Sequence, residues 1–164
     1  MVGKGSILIV DDKLGPRESL RIILKPLYKI HSVSSGQEAI NFVAQYTVEV
    51  VTLELCLPGM SGIEVLREIK RFQPKTEIII VTGYGTSTNA LEAVRYGAAD
   101  FICKPFNVAD VMTSVSKAFE RRSGKMKARG NAEQIQSIHS LLSRERSVLK
   151  ADTSYHPPFT HFSF

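Results

Sequence analysis

Several polar side chains in this sequence come directly after short apolar runs. The runs 6–10, 48–53, 77–81 and 99–103 are followed by Asp11-Asp12, Glu54, Thr82 and Lys104. If the runs are neighbouring strands of a parallel sheet, these side chains meet where its strands end. Carboxylates are ligands of Mg²⁺, and a lysine with a hydroxyl can hold the oxygens of a phosphoryl group. The pattern therefore predicts a site for metal or phosphoryl chemistry.

The elements that must position these residues follow from hydrophobic periodicity. Apolar, β-branched runs predict strands over 6–10, 29–33, 48–53, 77–81 and 99–103. Helical spacing predicts helices over 14–25, 37–45, 62–72, 87–96 and 108–122. In the first helix the apolar positions are Leu20, Ile23, Leu24 and Leu27. Asn107 is a suitable N-cap for the fifth helix, and Gly97 predicts the end of the fourth.

Strict alternation of strands and helices predicts a doubly wound parallel sheet of class α/β. For five strands of this length we expect the flavodoxin-like order 2-1-3-4-5, which gathers the strand ends at one crevice. The alternation covers residues 5–122. A basic, glycine-containing linker is predicted over 123–130, a helical extension over 131–150, and an irregular tail over 151–164.

Composition and charge narrow the possible functions. The 164 residues are 43% hydrophobic and 23% charged, as in ordinary globular proteins. All but one unit of the formal charge of +5 arises after Phe119, and we interpret this excess as a solvated basic segment rather than a nucleic-acid or membrane surface. We expect no signal or membrane segment, because the first apolar run is short and ends in two acids. Cys56 and Cys103 lack metal-ligand spacing, so reduced, structural thiols and a cytoplasmic location are expected.

Four motifs give the chain a resemblance to a known family. They are Ile7-Leu8-Ile9-Val10-Asp11-Asp12, Leu57-Pro58-Gly59-Met60-Ser61-Gly62, Val81-Thr82-Gly83-Tyr84-Gly85 and Lys104-Pro105-Phe106. Over residues 5–122 the chain resembles the receiver domains of bacterial two-component response regulators. The resemblance implies a signalling protein that acts through protein contacts and is not an enzyme.

For the metal and the phosphoryl acceptor, the resemblance implies specific residues. Asp11 and Asp12 match the two acids that hold Mg²⁺ in the family. Glu54 stands at the position of the aspartate that accepts a phosphoryl group from a histidine kinase. Its side chain and the backbone carbonyl of Cys56 would complete the metal shell.

The resemblance also implies the residues of the switch. Thr82 matches the hydroxyl that moves to hold the phosphoryl group, and Lys104 matches the lysine that neutralises it. Phe101 matches the aromatic residue whose rotamer reports activation on the face made by helix four, strand five and helix five.

Glu54 and Lys13 depart from the family pattern. In-line transfer depends on positioning, and a displacement of about 1 Å can cost on the order of 10²-fold in rate. The longer side chain of Glu54 therefore predicts a receiver without ordinary phosphotransfer, in which the carboxylate partly mimics a phosphoryl group beside Lys104. Lys13 adds a positive charge that opposes Mg²⁺. The alternative is an inert site on a dimerisation or docking module.

The expected partners are proteins. They are a histidine kinase or another signalling protein, and a second copy through the face of helix four, strand five and helix five. The segment 141–149 resembles the opening of a helix-turn-helix output domain, but no second helix follows it in the sequence. A DNA-binding regulator with a truncated output domain is thus the alternative function, and we expect neither DNA nor membrane binding.

Overall fold

Five strands and five helices alternate along the chain in the computed structural model, which describes residues 4–124 and Gln136. The strands are β1 (Ser6–Val10), β2 (Lys29–Val33), β3 (Val50–Leu53), β4 (Glu77–Thr82) and β5 (Asp100–Cys103). The helices are α1 (Leu14–Leu24), α2 (Gly36–Gln45), α3 (Gly62–Phe72), α4 (Ser87–Arg95) and α5 (Val108–Arg122). Every predicted element of this region is present, with boundaries shifted by two residues at most.

The sheet has the predicted order β2-β1-β3-β4-β5, and each pair of neighbours is parallel. Val10 is paired with Leu53, and Thr82 with Cys103, at the C-terminal ends of the strands. The residues that follow these pairs therefore emerge side by side. The prediction of a flavodoxin-like α/β fold is confirmed.

Alternating side chains of the strands fill two cores, one on each face of the sheet. Residues such as Ile7 and Ile9 pack with Leu20 of α1 and Val115 of α5. The intervening residues, such as Leu8, pack against α2, α3 and α4. Both faces of the sheet are covered by helices, which explains why the central strands are nearly continuous runs of Val, Ile and Leu.

Two details of the prediction are corrected. Strand β3 begins at Val50 rather than at Val48, because the N–H of Val48 donates to the side chain of Gln73 at 3.0 Å. Leu27 does not join the buried stripe of α1 and is 55% exposed. The helix ends at Leu24, whose carbonyl accepts from the N–H of Leu27, so the helical spacing does not extend that far.

Capping side chains fix where the helices near the strand ends begin. Ser61 and Glu64 form a capping box at α3: the Ser61 hydroxyl accepts from the N–H of Glu64, and the Glu64 carboxylate accepts from the N–H of Ser61. Asn107 caps α5 by accepting from the N–H of Asp110 at 2.8 Å, as predicted. The two caps fix the ends of the loops that follow β3 and β5.

The turn from β3 into α3 depends on two glycines. Gly59 has φ +78°, a left-handed conformation in which a side chain is strained. Gly62 lies against the preceding chain, and a Cβ atom there would stand 2.5 Å from the carbonyl oxygen of Glu54 and from the Cα of Leu55. The start of α3 can approach the end of β3 this closely only without a side chain.

Residues 125–130 of the predicted linker 123–130, the helical extension 131–150 apart from Gln136, and the tail 151–164 lie outside the described residues. Within the part of the chain that the structure describes, no helix is long and apolar enough to cross a bilayer.

We predict that Gly62→Ala lowers the free energy of unfolding by about 1–3 kcal/mol, because backbone atoms must shift to admit the methyl group. Gly15→Ala is the matched control: nothing lies within 4 Å of its Cβ position in α1, and alanine favours a helix by about 0.5–1 kcal/mol. Urea unfolding of both variants measures the difference. Equal stability of the two variants would contradict the close approach.

Candidate functional site

The strand register brings the two acids that follow β1 and β3 together. The N–H of Glu54 donates to the carbonyl of Val10 at 3.0 Å, which extends the ladder one residue beyond the strands. Asp11 and Glu54 are 1% and 5% exposed. Buried carboxylates need partners, since an unpaired buried charge is strongly unfavourable. The cation comes from the residue that follows β5, and further hydrogen bonds come from β4 and from the loops after β1 and β3.

Lys104, which follows β5, bridges the two acids. Its Nζ lies 2.6 Å from Oδ2 of Asp11 and 2.7 Å from Oε2 of Glu54. Its backbone N–H donates to the carbonyl of Thr82 at 2.9 Å, which fixes the lysine against the end of β4. Burial alone would lower the pKa of Lys104, but the hydrogen bonds to Asp11 and Glu54 outweigh it and raise the pKa above its usual value. The ammonium is therefore charged throughout the neutral range.

The second oxygen of Glu54 accepts two further hydrogen bonds. The fully buried hydroxyl of Thr82 donates to Oε1 of Glu54 at 2.5 Å, and the backbone N–H of Cys56 donates to the same oxygen at 3.0 Å. Both oxygens of the carboxylate are thus engaged, one by the ammonium and the other by a hydroxyl and an amide. We call the contacts of Glu54 with Thr82 and Lys104 the Glu54 switch.

A chain of hydrogen bonds runs from Glu54 to the start of α4. The Thr82 hydroxyl accepts from the N–H of Tyr84 at 3.2 Å, and the carbonyl of Tyr84 accepts from the N–H of Thr86 at 3.1 Å. Thr86 is the N-cap of α4, and its hydroxyl accepts from the N–H of Asn89. Thr82 is therefore linked by hydrogen bonds to the N-cap of α4.

Asp12 points to a different ammonium. Its Oδ2 lies 2.6 Å from Nζ of Lys13, whose side chain is 71% exposed. The side-chain hydrogen bond to Asp12 raises the pKa of Lys13 above its usual value. The N–H of Lys13 also donates to Oδ1 of Asp11 at 2.9 Å. All three acids at the strand ends therefore contact a lysine side chain.

Arg17 was not identified from the sequence. Its Nη1 donates to the backbone carbonyl of Asp11 at 2.7 Å, which anchors the end of β1 to α1. The residue lies six positions after Asp11 on a helix whose polar side chains mostly face solvent. Nothing in the residue type or spacing indicates that it reaches back to the strand end.

Phe101 and the two cysteines differ in exposure. Phe101 of β5 is buried, at 3% exposure, in the core beneath α2, α3 and α4. Neither Cys56 nor Cys103 is part of a disulfide. Cys103 packs partly against the same core, but Cys56 is exposed, so the prediction of a structural thiol is wrong for Cys56. The backbone N–H of Cys56 is directed at Glu54 instead, where it donates to Oε1.

The donor atoms at this site have the chemistry that Mg²⁺ requires, since Asp11, Asp12 and Glu54 offer carboxylate oxygens. Their arrangement is less suitable. Among residues 4–124, no group of three or more His, Cys, Asp or Glu side chains is arranged to hold a metal ion. The metal-binding roles of these acids and of the Cys56 carbonyl stay predictions.

Comparison with known proteins assigns the family. The family model described as response regulator receiver domain matches residues 7–116, which is more than half of the chain. The observed fold and the acids at the strand ends are those expected for this family. The chain belongs to the response regulator receiver family.

Curated relatives support the assignment. The chain is 34% identical over 113 residues to the chemotaxis protein CheY of Thermotoga maritima, covering 68% of this chain and 94% of CheY. It is 30% identical over 152 residues to the transcriptional regulatory protein FixJ of Bradyrhizobium diazoefficiens, covering 92% of this chain and 74% of FixJ. The match to the regulatory protein AtoC of Escherichia coli, 30% identical over 87% of this chain, spans only 30% of AtoC.

Solved structures show the same architecture. A CheY-like receiver domain protein from Methanospirillum hungatei superposes with a TM-score of 0.73 at 25% identity, covering 76% of this chain and 100% of that one. The BeF3-activated receiver domain of DrrB superposes with a TM-score of 0.68 at 28% identity, covering 72% and 99%.

We predict that Lys104→Met lowers the free energy of unfolding by roughly 3 kcal/mol, because it leaves two buried carboxylates without their cation. Lys13→Met removes the same charge from an exposed pair and leaves stability nearly unchanged. Chemical denaturation at neutral pH compares the variants. Equal losses for the two lysines would show that the bridge does not stabilise the fold.

Alkaline pH provides a second measure of the bridge. The pKa of Lys104 is raised in the folded protein. The stability that Lys104 contributes to the fold is therefore fully present below its pKa in the unfolded chain, about 10.4, and is lost as pH rises through its pKa in the folded protein. The stability difference between the native chain and Lys104→Met should stay constant from neutral pH to about pH 10 and then shrink. A difference that disappears by pH 9 would contradict this assignment.

Proposed function

We propose that this protein is a response-regulator receiver whose switch is held by the carboxylate of Glu54 instead of an aspartyl phosphate. It acts by binding other proteins and not as an enzyme. The observation that carries the proposal is the simultaneous contact of one carboxylate with Lys104 and Thr82, at 2.7 Å and 2.5 Å. By resemblance, these are the two side chains that hold the phosphoryl group in the family.

The same contacts oppose phosphotransfer to Glu54. A nucleophilic oxygen needs a free lone pair aligned with the incoming phosphorus. Oε2 is paired with Lys104, and Oε1 accepts from both Thr82 and the amide of Cys56. The extra methylene places the carboxylate where a phosphoryl group would have to enter. Both lone pairs of Oε1 are engaged, and attack by Oε2 would have to use the lone pair that Lys104 does not occupy.

The mimicry is partial. A carboxylate carries one charge and two oxygens, whereas a phosphoryl group carries about −1.5 to −2 charge and three strong acceptor oxygens. Glu54 can therefore hold Thr82 and Lys104, but with less electrostatic energy than a phosphoryl group has. The proposed receiver is biased toward its active arrangement and is not locked in it.

If a divalent ion binds, Asp11 and Asp12 with Glu54 and the carbonyl of Cys56 are the residues that would hold it. Mg²⁺ in such a site supplies positive charge next to the acceptor oxygens. Lys104 supplies a second positive charge next to these oxygens, because its ammonium already contacts Asp11 and Glu54.

The output surface proposed here is the face formed by α4, β5 and α5. Two observations connect the Glu54 switch to it: the hydrogen-bonded path from Thr82 to the N-cap of α4, and the inward position of Phe101. A signalling partner that recognises this face would detect the state of Glu54. A second copy of the chain is one such partner, and a histidine kinase remains the expected upstream protein.

One observation favours a second candidate, a DNA-binding transcriptional regulator. The alignment with FixJ extends over 152 residues and so passes beyond the receiver. The residues after Gly124 include Arg144, Arg146 and Lys150 in a segment that resembles the start of a helix-turn-helix. A complete recognition helix would be needed for sequence-specific binding.

Phosphodonor labelling tests the first proposal. With acetyl phosphate and Mg²⁺, the native chain should gain no phosphoryl group at Glu54, and Glu54→Asp should be labelled at least about 10²-fold faster. Mass spectrometry of the intact protein and its peptides measures the incorporation. Rapid, stoichiometric, Mg²⁺-dependent labelling of Glu54 would disprove the proposal. If Glu54→Asp is not labelled either, an inert docking module is the better description.

Filter binding to duplex DNA at several salt concentrations tests the second candidate. A DNA-binding regulator should retain DNA with a steep inverse dependence on salt, because Lys and Arg displace counterions. The variant with Arg144, Arg146 and Lys150 changed to alanine should lose that retention. Absence of retention at low salt would eliminate this candidate.

A further inference from the structure

A cleft of about 590 Å³ lies beside the edge strand β2, away from the Glu54 switch. Its size falls in the range of about 300–1,000 Å³ that is typical of small-ligand sites. Two of its residues, Ser6 and Lys29, are paired at the first position of β1 and β2, at the opposite end of these strands from Asp11. The residues that line the cleft come from β1, β2 and the end of α2, and they are Ser6, Lys29, His31, Phe42, Tyr46 and Thr47.

Three aromatic rings stand in a row along the cleft. The ring centroids of His31 and Phe42 are 4.9 Å apart, and those of Phe42 and Tyr46 are 5.0 Å apart, with the planes tilted in both pairs. Phe42 packs partly against the core, which holds the row in place, whereas Tyr46 is 59% exposed. Aromatic rings attract further rings at such distances. The row therefore favours a ligand with a flat ring.

The polar groups of the cleft have capacity for a ligand. Among residues 4–124, no group accepts a hydrogen bond from the ammonium of Lys29 or from the hydroxyls of Tyr46 and Thr47. The backbone N–H of Lys29 donates to the carbonyl of Gly5 at 2.9 Å, which fixes the position of the lysine in the sheet. Three donors, one of them charged, are thus available to an acceptor in the cleft.

His31 contributes a ring rather than a second charge. Burial, and to a smaller extent repulsion by Lys29, lowers the pKa of His31 below its usual value. The imidazole is therefore neutral at neutral pH, and Lys29 is the cation among the residues that line the cleft.

Two nearby groups with negative charge are already engaged. The carboxylate of Glu49 accepts from the N–H of Ser6 at 2.6 Å and from its hydroxyl at 3.1 Å. The last carbonyls of α2 carry the negative end of the helix dipole, and the side chain of Gln73 donates to those of Val43 and Tyr46 at 2.7 Å each. Both arrangements reduce the repulsion that an anion in the cleft would meet.

We propose that this cleft binds a small aromatic carboxylate, with its ring against Tyr46 and His31 and its carboxylate at the ammonium of Lys29. A free small molecule fits better than an extended peptide, because a lysine on an edge strand disfavours pairing with an added strand. The site shares no residue with the Glu54 switch. Its existence therefore does not depend on the function proposed for Glu54.

The test is a titration of the full chain with phenylacetate at neutral pH, followed by NMR of the His31 and Tyr46 ring signals. Phenylacetamide has the same ring without the charge, and cyclohexylacetate has the same charge without an aromatic ring. Phenylacetate should shift both ring signals saturably. Each control ligand should bind at least about fivefold more weakly, because it lacks one of the two interactions.

Two variants of the chain should weaken phenylacetate binding. Lys29→Gln should weaken it about fivefold, the upper end for an ion pair near the surface. Its matched control is Lys13→Gln, which makes the same change in charge at the other end of the strands. Tyr46→Leu should weaken binding by a similar factor, and Tyr96→Leu is its control, because both tyrosines are C-cap residues of a helix. Both controls should bind phenylacetate like the native chain.

Three results would overturn the proposal. The first is the absence of any saturable shift of the His31 and Tyr46 signals. The second is equal affinity of the native chain for phenylacetate and either control ligand, a comparison that needs no variant to fold. The third is equal phenylacetate affinity in Lys29→Gln and Lys13→Gln. Phosphodonor labelling of Glu54 would refute the proposed function and would leave the titration valid.

Discussion

The site depends on one requirement: two carboxylates buried at adjacent strand ends must share a cation. Parallel pairing of β1 with β3 places Asp11 and Glu54 side by side, out of contact with bulk water. Lys104 meets the requirement from the end of β5, which lies two positions from β3 and three from β1 in the sheet. The loop after β5 is thereby tied to the central strands. Thr82, whose carbonyl accepts from the N–H of Lys104, is held in the same network.

Much of this arrangement could be predicted from the sequence, because strand ends in a parallel sheet converge whatever the side chains are. Asp11, Glu54, Thr82 and Lys104 were therefore placed correctly by periodicity and order alone. The contact of Lys104 with Glu54 also followed from the length of the glutamate side chain. The sequence does not determine which hydrogen-bond partner a group at the strand ends takes when several donors lie within reach.

Three features illustrate that limit. Arg17 reaches the carbonyl of Asp11 from a helix position that looks solvent-facing. Cys56 has an apolar sequence context, yet its side chain is exposed while its backbone N–H donates to Glu54. Leu27 matches the helical spacing of α1 but follows the end of the helix. Each depends on where the backbone turns, and local turns are set by hydrogen bonds that residue types only partly determine.

The carbon–carbon bonds that hold the Glu54 carboxylate in place have a consequence for timing. An acyl phosphate hydrolyses, and that decay ends a signal within the lifetime of the anhydride. A glutamate side chain cannot hydrolyse away. Under the proposed function, the duration of the signal would follow the synthesis and degradation of the protein, and its strength would follow the number of copies in the cell. The output of the site would then depend on how many copies of the protein are present, whereas the output of an aspartyl phosphate depends on how recently it was formed.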